Sequence, residues 1–147
     1  AHSVNAYRRF TPDSFAPATV TWSRDNRSAA VRSLIENNPR ATRIELRSGG
    51  SDANPYWLIA SALAAVVAGL EAKRNAPPAL GGNLYTEGVP LPESLGVAIE
   101  LATRDDTILE ILGSDSVNDF ASLARSEWIE YSNEVSDWER RRYLSTS

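Results

Sequence analysis

The spacing of apolar positions changes near residue 50 and divides the chain into two parts. In the first part, the segments ATVTWS, SAAVRSLI and TRIELR alternate apolar and polar positions or are rich in β-branched residues. This pattern predicts strands over residues 18–23, 28–35 and 42–47, with IENNPRA as the turn between the last two. The preceding segment, TPDSFAP, contains two prolines and predicts a loop.

After residue 50 the apolar positions follow the spacing of helices. Asn54 is a suitable N-cap, and Pro55 suits the first helical position, where its missing N–H costs nothing. The run from Tyr56 to about Asn75 is apolar nearly all round, which predicts a buried helix packed closely on its neighbours. Residues 76–94 contain four prolines and three glycines and predict a loop.

Two short helices are predicted after this loop. Ser94 is the expected cap of the first, which extends through Thr103. Asp105 or Asp106 is expected to start the second, which ends at Gly113.

A single apolar stripe predicts one long helix at the C-terminus, capped by Asp115 or Ser116 and ending in ERRRYLSTS, where the cations suit the helix dipole. The stripe recurs at spacings of three and four and consists of Val117, Phe120, Ala124, Trp128, Tyr131, Val135 and Trp138. The chain as a whole is predicted to be α+β, with antiparallel strands in its N-terminal third followed by packed helices.

Composition favours one folded domain without a membrane span. The 147 residues are 42% hydrophobic and 23% charged, which is enough apolar material for a core. The net charge of -4 argues against a general nucleic-acid partner. The longest apolar run, Trp57 to Leu70, is too short for a bilayer, and no signal-peptide pattern is present, so a soluble, cytoplasmic protein is expected. Since position 1 is not Met, the chain is expected to be processed or to start within a longer protein.

Arginine is concentrated near the N-terminus. Of the 15 basic residues only Lys73 is a lysine. Arginine presents a planar fork that binds carboxylates and phosphates in a bidentate manner. Codon bias would explain the ratio of arginine to lysine, but it would not explain why eight arginines fall in the first third of the chain. These are Arg8, Arg9, Arg24, Arg27, Arg32, Arg40, Arg43 and Arg47.

The segment TRIELR leaves two interpretations open. On a strand, Arg43, Glu45 and Arg47 would share one face and Ile44 and Leu46 the other. The charged face could lie in water, with weak surface ion pairs. Alternatively it could line a cleft, with Glu45 as an oxygen ligand for Mg²⁺ between cations that bind phosphate. Alternation alone does not decide between them.

The other candidate residues add little chemistry on their own. Arg27 and Arg32 stand five apart in the segment RDNRSAAVR, so if both lie on one strand, an unbulged strand would point them to opposite faces. The sequence has no glycine-rich phosphate loop and no Ser/His/Asp set. The residues by themselves therefore indicate an α+β fragment with an arginine-rich sheet suited to anions.

Four strings in order are more specific than any single pattern. They are NAYRRF followed by AP, DNRSAAVR, RIELR followed by DANPY, and VSDWERRRYL. Together they resemble glutamine synthetases, and the resemblance identifies residues 1–147 as the C-terminal part of the catalytic domain. It implies part of an antiparallel sheet with helices packed outside it. It also implies that the N-terminal domain and the first part of the catalytic domain are absent.

The activity implied by the resemblance is ATP-dependent amide formation. Glutamate is activated as γ-glutamyl phosphate, and ammonia or another amine then displaces the phosphate. ATP and Mg²⁺ or Mn²⁺ are the implied cofactors, and a homo-oligomeric double ring is implied for the full-length protein. The alternative is a non-catalytic homologue that keeps the scaffold for structure or binding, although the retained arginine set argues against it.

The resemblance assigns three residues to glutamate and metal. Arg9 matches the arginine that holds the glutamate carboxylate. Glu45 matches a metal-ligand glutamate. Arg47 matches a catalytic, substrate-binding arginine that neutralises the γ-carboxylate or its phosphate.

Three more arginines are assigned to the nucleotide. Arg27 matches a catalytic arginine that contacts the transferring phosphate. Arg32 matches one near the nucleotide phosphates, and Arg43 matches one beside the nucleotide. One glutamate cannot hold the metal ions that this chemistry needs, so the chain alone is expected to bind ATP poorly and to be inactive.

Two loop residues depart from the family pattern. Ammonia-using members commonly carry a glutamate directly before Ala-Pro in a mobile flap, where it deprotonates ammonium. Phe15 stands there in this chain and cannot act as a base, which favours a larger amine. Tyr85 in NLY resembles a tyrosine that some bacterial enzymes adenylylate, but the following TEG differs, so an exposed loop tyrosine is the preferred interpretation.

Overall fold

A computed structural model describes residues 2–11, 14–35 and 38–144 and confirms the α+β class. The helices in order are α1 Val4–Tyr7, α2 Pro55–Glu71, α3 Leu95–Ala102, α4 Asp106–Leu112, α5 Ser114–Asn133 and α6 Asp137–Leu144, with a 3₁₀ turn Arg8–Phe10 directly after α1. The strands are β1 Thr19–Val20, β2 Trp22–Arg24, β3 Val31–Leu34, β4 Arg43–Leu46 and β5 Val89–Pro90. β5 lies inside the segment predicted to be a loop.

The strands form two small sheets. β1 pairs antiparallel with β5, and β2, β3 and β4 form a three-stranded sheet in that order. β3 and β4 are antiparallel, as expected, and their register places Arg32 opposite Glu45. β2 and β3 run parallel, which differs from the antiparallel pairing expected here. Six residues, 25–30, connect these two strands, a connection much shorter than the usual crossover between parallel strands.

The strand predicted over residues 28–35 is β3, and it begins at Val31 because a local turn occupies the preceding residues. The Asn26 side-chain oxygen accepts hydrogen bonds from the Ser28 backbone N–H at 2.9 Å and from the Ser28 hydroxyl at 2.7 Å. Asn side chains stabilise turns in this way. Arg27 therefore lies in the turn before β3 and does not share a strand with Arg32, so the expectation for this pair was wrong.

The turn predicted between β3 and β4 is described only in part. Residues 36–37 lie outside the described residues. In the remainder, the Ala41 N–H donates to the Asn38 carbonyl at 2.9 Å, which is consistent with a turn.

The predicted start of α2 is confirmed, but its predicted burial is wrong for the described residues. Asn54 caps the helix by accepting from the N–H groups of Tyr56 and Trp57, at 3.0 and 3.3 Å, and Pro55 is the first helical residue. Ala64 is the one residue of the helix that is buried, and Tyr56 is 84% exposed. The helix packs on α4. Burial all round would require further neighbours, which the described residues do not supply.

The core of the helical part lies between α3 and α5. Leu95 and Ile99 of α3 pack with Ala121 and Ala124 of α5, and Val4, Tyr7 and Trp128 lie against this cluster. Burial raises the pKa of Tyr7 to about 12. The Trp57 ring of α2 joins α5 through Phe120, with ring centroids 4.5 Å apart. This packing joins α1, α2, α3 and α5 to one another.

The two short helices begin as predicted. The Ser94 hydroxyl accepts from the Val97 N–H at 3.3 Å, and the Asp105 carboxylate accepts from the Ile108 N–H at 3.1 Å. Gly113 ends α4 and, with φ at 83°, directly precedes α5. The cap predicted at Asp115 or Ser116 is therefore wrong.

The long C-terminal helix is two helices, which corrects the prediction of one. α5 ends at Asn133, and α6 starts after Ser136. The Ser136 hydroxyl accepts from the Glu139 N–H at 3.2 Å, while the Glu139 carboxylate accepts from the Ser136 N–H at 2.8 Å. This reciprocal capping box favours a new helix start over continuation. Residues 145–147 of the predicted terminus lie outside the described residues. Among the helices described, none has the length and apolar character needed to cross a membrane.

Candidate active site

Three of the predicted site residues meet on adjacent strands. Arg32 on β3 donates from Nη1 to Oε2 of Glu45 on β4 at 3.1 Å. Arg43 donates to the other oxygen, Oε1, from Nε at 3.0 Å and from Nη2 at 2.8 Å. Arg32 also forms an ion pair with Asp25, which the sequence patterns did not single out. Arg43 and Glu45 therefore share a face, as alternation predicted.

The charges of this network are balanced. The hydrogen bonds from Arg43 and Arg32 lower the pKa of Glu45 below its ordinary value, and the contribution of Arg43 is the largest. The hydrogen bond to Asp25 is the largest cause of a raised pKa at Arg32. Two carboxylates thus face two guanidinium groups. The Arg32 side chain is only 13% exposed, and its Nε is buried without a hydrogen-bond partner among the described residues.

Arg9 and Arg47 form a second group whose positive charge is less compensated. Arg9 donates from Nη1 to the Ser48 carbonyl at 3.4 Å and from Nη2 to the Arg47 carbonyl at 3.5 Å. Arg47 donates from Nη1 to the Ala29 carbonyl at 3.3 Å. Within the described parts of the chain, neither guanidinium forms an ion pair with a carboxylate. The end of β4 and the 3₁₀ turn thus present cationic groups suited to a carboxylate or phosphate.

A tight loop beside Arg9 was missed by the sequence patterns. A Cβ on Gly50 would lie 2.7 Å from the Asp52 Oδ1 and 3.4 Å from the Arg9 Nη1, so a larger residue there would require the Asp52 side chain to shift. The Ser3 hydroxyl donates to the Asp52 Oδ2 at 2.5 Å and is the largest cause of a lowered pKa at Asp52. In the sequence, the glycine pair Gly49 and Gly50 is the signal for this loop.

Arg27 is exposed on the turn before β3, and its side chain has no hydrogen-bond or ion-pair partner in residues 2–11, 14–35 and 38–144. Its two neighbours tie the turn to the loop before β5. The Asn26 side-chain amide donates to the Gly82 carbonyl at 2.8 Å, and the Leu84 N–H donates to the Ser28 hydroxyl at 3.0 Å. Arg27 is therefore an available cation on an anchored turn.

Phe15 and Tyr85 contact each other between two loops. Their ring centroids are 6.5 Å apart with the planes at 74°, and the Tyr85 hydroxyl donates to the Phe15 carbonyl at 3.4 Å. Phe15 is 77% exposed and has φ at 56°. Residues 12–13 of the predicted flap lie outside the described residues. The position expected to carry a base in ammonia-using enzymes thus presents an exposed aromatic ring.

The described residues do not fit a divalent metal ion by themselves. They contain no group of three or more His, Cys, Asp or Glu side chains that could hold a metal. Both oxygens of Glu45 receive guanidinium hydrogen bonds. A magnesium or manganese site needs several oxygen ligands, and one engaged carboxylate does not provide them.

Comparisons with known proteins identify the family of the chain. The family model described as "Glutamine synthetase, catalytic domain" matches residues 1–143. The chain is 38% identical to type-1 glutamine synthetase 2 of Dictyostelium discoideum over 152 residues, covering 98% of this chain and 28% of that protein. It is 36% identical to a gamma-glutamylethanolamide synthetase of Streptomyces coelicolor over 143 residues, covering 97% of this chain and 30% of that protein.

A solved structure has the same fold. The apo structure of GmaS without ligand superposes with a TM-score of 0.82 at 33% identity, covering 97% of this chain and 33% of that one. The chain therefore spans about a third of the length of the proteins it matches. Sequence, fold and family model agree over nearly the whole chain, which belongs to the glutamine synthetase catalytic-domain family.

Proposed function

We propose that the chain is the C-terminal part of the catalytic domain of an ATP-dependent γ-glutamyl ligase, which joins glutamate to an amine through γ-glutamyl phosphate. The observation that carries the proposal is the arrangement of arginines around β3 and β4. A charge-balanced network at Arg32, Arg43 and Glu45 lies on β3 and β4, and Arg47, directly after β4, accepts a hydrogen bond from Arg9 at its carbonyl. A reaction between several anions needs fixed cations of this kind.

Arg9 and Arg47 are the proposed ligands of glutamate. Arg9 would bind its α-carboxylate. Arg47 would neutralise the γ-carboxylate and, once formed, its phosphate, so it also has a catalytic role. Support comes from their positions, because the Arg9 guanidinium lies against the Arg47 and Ser48 carbonyls and both cations lack ion-pair partners in the described chain.

Arg27, Arg32 and Arg43 are the proposed nucleotide ligands. In the first step a γ-carboxylate oxygen of glutamate attacks the terminal phosphorus of ATP, the P–O bond to ADP breaks, and ADP leaves. Arg27 would contact the phosphoryl group in transfer, since it is an exposed cation without a carboxylate partner among the described residues. Arg32 and Arg43 would lie near the nucleotide.

Metal binding requires more ligands than the described residues provide. Glu45 as a ligand for Mg²⁺ or Mn²⁺ stays a prediction, and the remaining ligands would have to come from residues outside the described chain. For the same reason we propose that the chain alone is inactive. A cytoplasmic location and a double-ring assembly of the full-length protein likewise stay predictions.

A substituted amine is the proposed acceptor in preference to ammonia. Phe15 has no proton-accepting group, and its ring is exposed. One relative, 36% identical to this chain, is a gamma-glutamylethanolamide synthetase. In the second step the amine nitrogen attacks the γ-carbonyl carbon, the C–O bond to phosphate breaks, phosphate leaves with the electron pair, and the nitrogen loses a proton to solvent.

The proposal is tested with E45Q in the full-length protein that would contain this chain. Because Glu45 joins both arginines of the network, we expect amide formation to fall by about 100-fold or more with the fold intact. The measurement is phosphate release with ATP, glutamate and a panel of amines, together with circular dichroism.

E100Q is the matched control, because Glu100 of α3 forms an ion pair with Arg104, an exposed arginine just after the end of that helix. It should keep full activity. Unchanged turnover in E45Q would remove Glu45 from the site. A wild-type protein that releases no phosphate with any amine would favour the non-catalytic alternative.

A further inference from the structure

The Phe15–Tyr85 pair combines an exposed ring with an unusual backbone. Phe15 has φ at 56°, a left-handed conformation that is rare for a bulky residue. Such conformations persist where the surrounding structure enforces them, and they concentrate at functional sites. Here the enforced conformation leaves 77% of an apolar side chain in solvent, which no gain in core packing explains.

Tyr85 is held in place by its neighbour Leu84. The Leu84 side chain is fully buried, and its carbonyl accepts from the Thr19 hydroxyl at 2.9 Å. The Leu84 N–H donates to Ser28 at 3.0 Å, and the Tyr85 N–H donates to the Asn83 side chain at 3.1 Å. These bonds anchor the backbone at Tyr85, and the Tyr85 ring contacts the Phe15 ring edge to face.

The loops that carry the pair are hydrogen-bonded to the segments that carry two of the proposed substrate cations, Arg9 and Arg27. The Ser14 hydroxyl next to Phe15 donates to the carbonyl of Arg9. The loop carrying Tyr85 is bonded to both neighbours of Arg27, through the Gly82 carbonyl and the Leu84 N–H. Arg9 is the proposed glutamate ligand, and Arg27 is the proposed ligand of the transferring phosphate. The acceptor amine must approach between glutamate and this phosphate.

Two aromatic rings suit one class of acceptor. A small alkylammonium ion places a positive charge and CH₂ groups side by side. Ring faces attract the charge, and ring surfaces bury the alkyl carbon. Ammonium has no carbon to bury and is strongly hydrated. The rings thus favour an amine that carries a short substituent.

We infer that Phe15 and Tyr85 form an aromatic clamp for the substituent of the acceptor, and that the acceptor class is small primary alkylamines. The inference rests on the proposed ligase function. The clamp binds the substituent and orients the nitrogen towards the γ-carbonyl carbon. It takes no part in proton transfer: the bound alkylammonium ion loses one proton to solvent before its nitrogen attacks, and the nitrogen loses a second proton to solvent after the C–N bond forms.

The test measures acceptor kinetics in the full-length protein with ethylamine and ammonium as probes. The wild type should have a kcat/KM for ethylamine at least about tenfold above that for ammonium. F15A and Y85A should each raise the KM for ethylamine about tenfold, the size expected for a ring–ammonium contact, with the KM for glutamate unchanged. Y85F should behave like the wild type, because it keeps the ring.

Further variants separate the ring from general effects. F15L keeps apolar bulk without a ring and should also raise the KM for ethylamine, and it covers the case in which F15A does not fold. W138A, which removes an exposed aromatic residue of α6, should change nothing. An unchanged ethylamine KM in both F15A and Y85A, or a wild-type preference for ammonium, would overturn the clamp.

Hydroxylamine distinguishes failure of the clamp from failure of the proposed function. A wild-type protein that forms γ-glutamyl hydroxamate but shows no effect of the ring variants is a ligase without a clamp. A wild-type protein that forms no hydroxamate and releases no phosphate with any amine overturns the proposed function and the clamp together.

Discussion

At Glu45 the two carboxylate oxygens are divided between two arginines, with Oε2 bound by Arg32 and Oε1 by Arg43. These hydrogen bonds favour the ionised form and lower the pKa of Glu45 below its ordinary value of 4.5. The folded-state pKa is thus below the unfolded-state value. The network therefore stabilises the protein above pH 4.5, and this contribution is lost as the pH falls through the lowered folded-state pKa.

We predict that E45Q removes this part of the acid sensitivity. Between about pH 6 and about pH 3 the Tm of the wild type should fall more steeply than that of E45Q, measured by circular dichroism. R43Q removes the largest cause of the lowered pKa of Glu45. The fall of its Tm with decreasing pH should therefore be intermediate between those of the wild type and E45Q. Parallel curves for wild type and E45Q would contradict the assigned network.

The sequence patterns predicted part of this site. Alternation predicted that Arg43 and Glu45 share a face, and the resemblance singled out both groups of arginines. Asp25 and Asp52 were missed because each acts through a loop conformation, and no spacing rule encodes which side chain a turn will face. Arg27 was misplaced for the same reason, since the Asn26 side chain closes a turn where alternation suggests a strand.

At the scale of elements, the clearest sequence signals are helix starts, and α2 offers a direct test. Asn54 accepts from two backbone N–H groups that would otherwise lack partners. N54A should lower the free energy of unfolding by about 1 kcal/mol, and N54S, which keeps a capping oxygen, should lose only a small fraction of that. Urea unfolding of the three proteins checks this, and equal losses in N54A and N54S would contradict a capping role.

Elements that depend on local chemistry were predicted better than those that depend on partners. The caps at Ser94, Asp105 and Asn54 were all correct because capping is decided within a few residues. The break before α6 was missed because the apolar stripe continues through it, although Ser136 and Glu139 carry the sequence signature of a capping box. The parallel direction of β2 and β3 was not predictable, since alternation contains no information on strand direction.

At the scale of the molecule, the largest discrepancy is the exposure of α2. Its composition predicted burial, yet Ile59, Leu63 and Leu70 are each more than half exposed. Apolar residues are buried only where other elements cover them, and the described residues supply α4 as the main neighbour of α2. The same limit applies to the site. The described residues supply the arginines but do not supply a complete set of metal ligands.

This incompleteness leads to a prediction for the chain by itself. Phosphoryl transfer needs divalent metal to neutralise the ATP phosphates, and one carboxylate engaged by two arginines does not hold it. The isolated 147 residues should therefore form no γ-glutamyl hydroxamate from ATP, glutamate and hydroxylamine, with magnesium or manganese present. The full-length protein at equal molar concentration is the positive control, and its E45Q variant sets the background. Hydroxamate above that background would show that the arginine set suffices, and would sink the proposal that the metal ligands lie elsewhere.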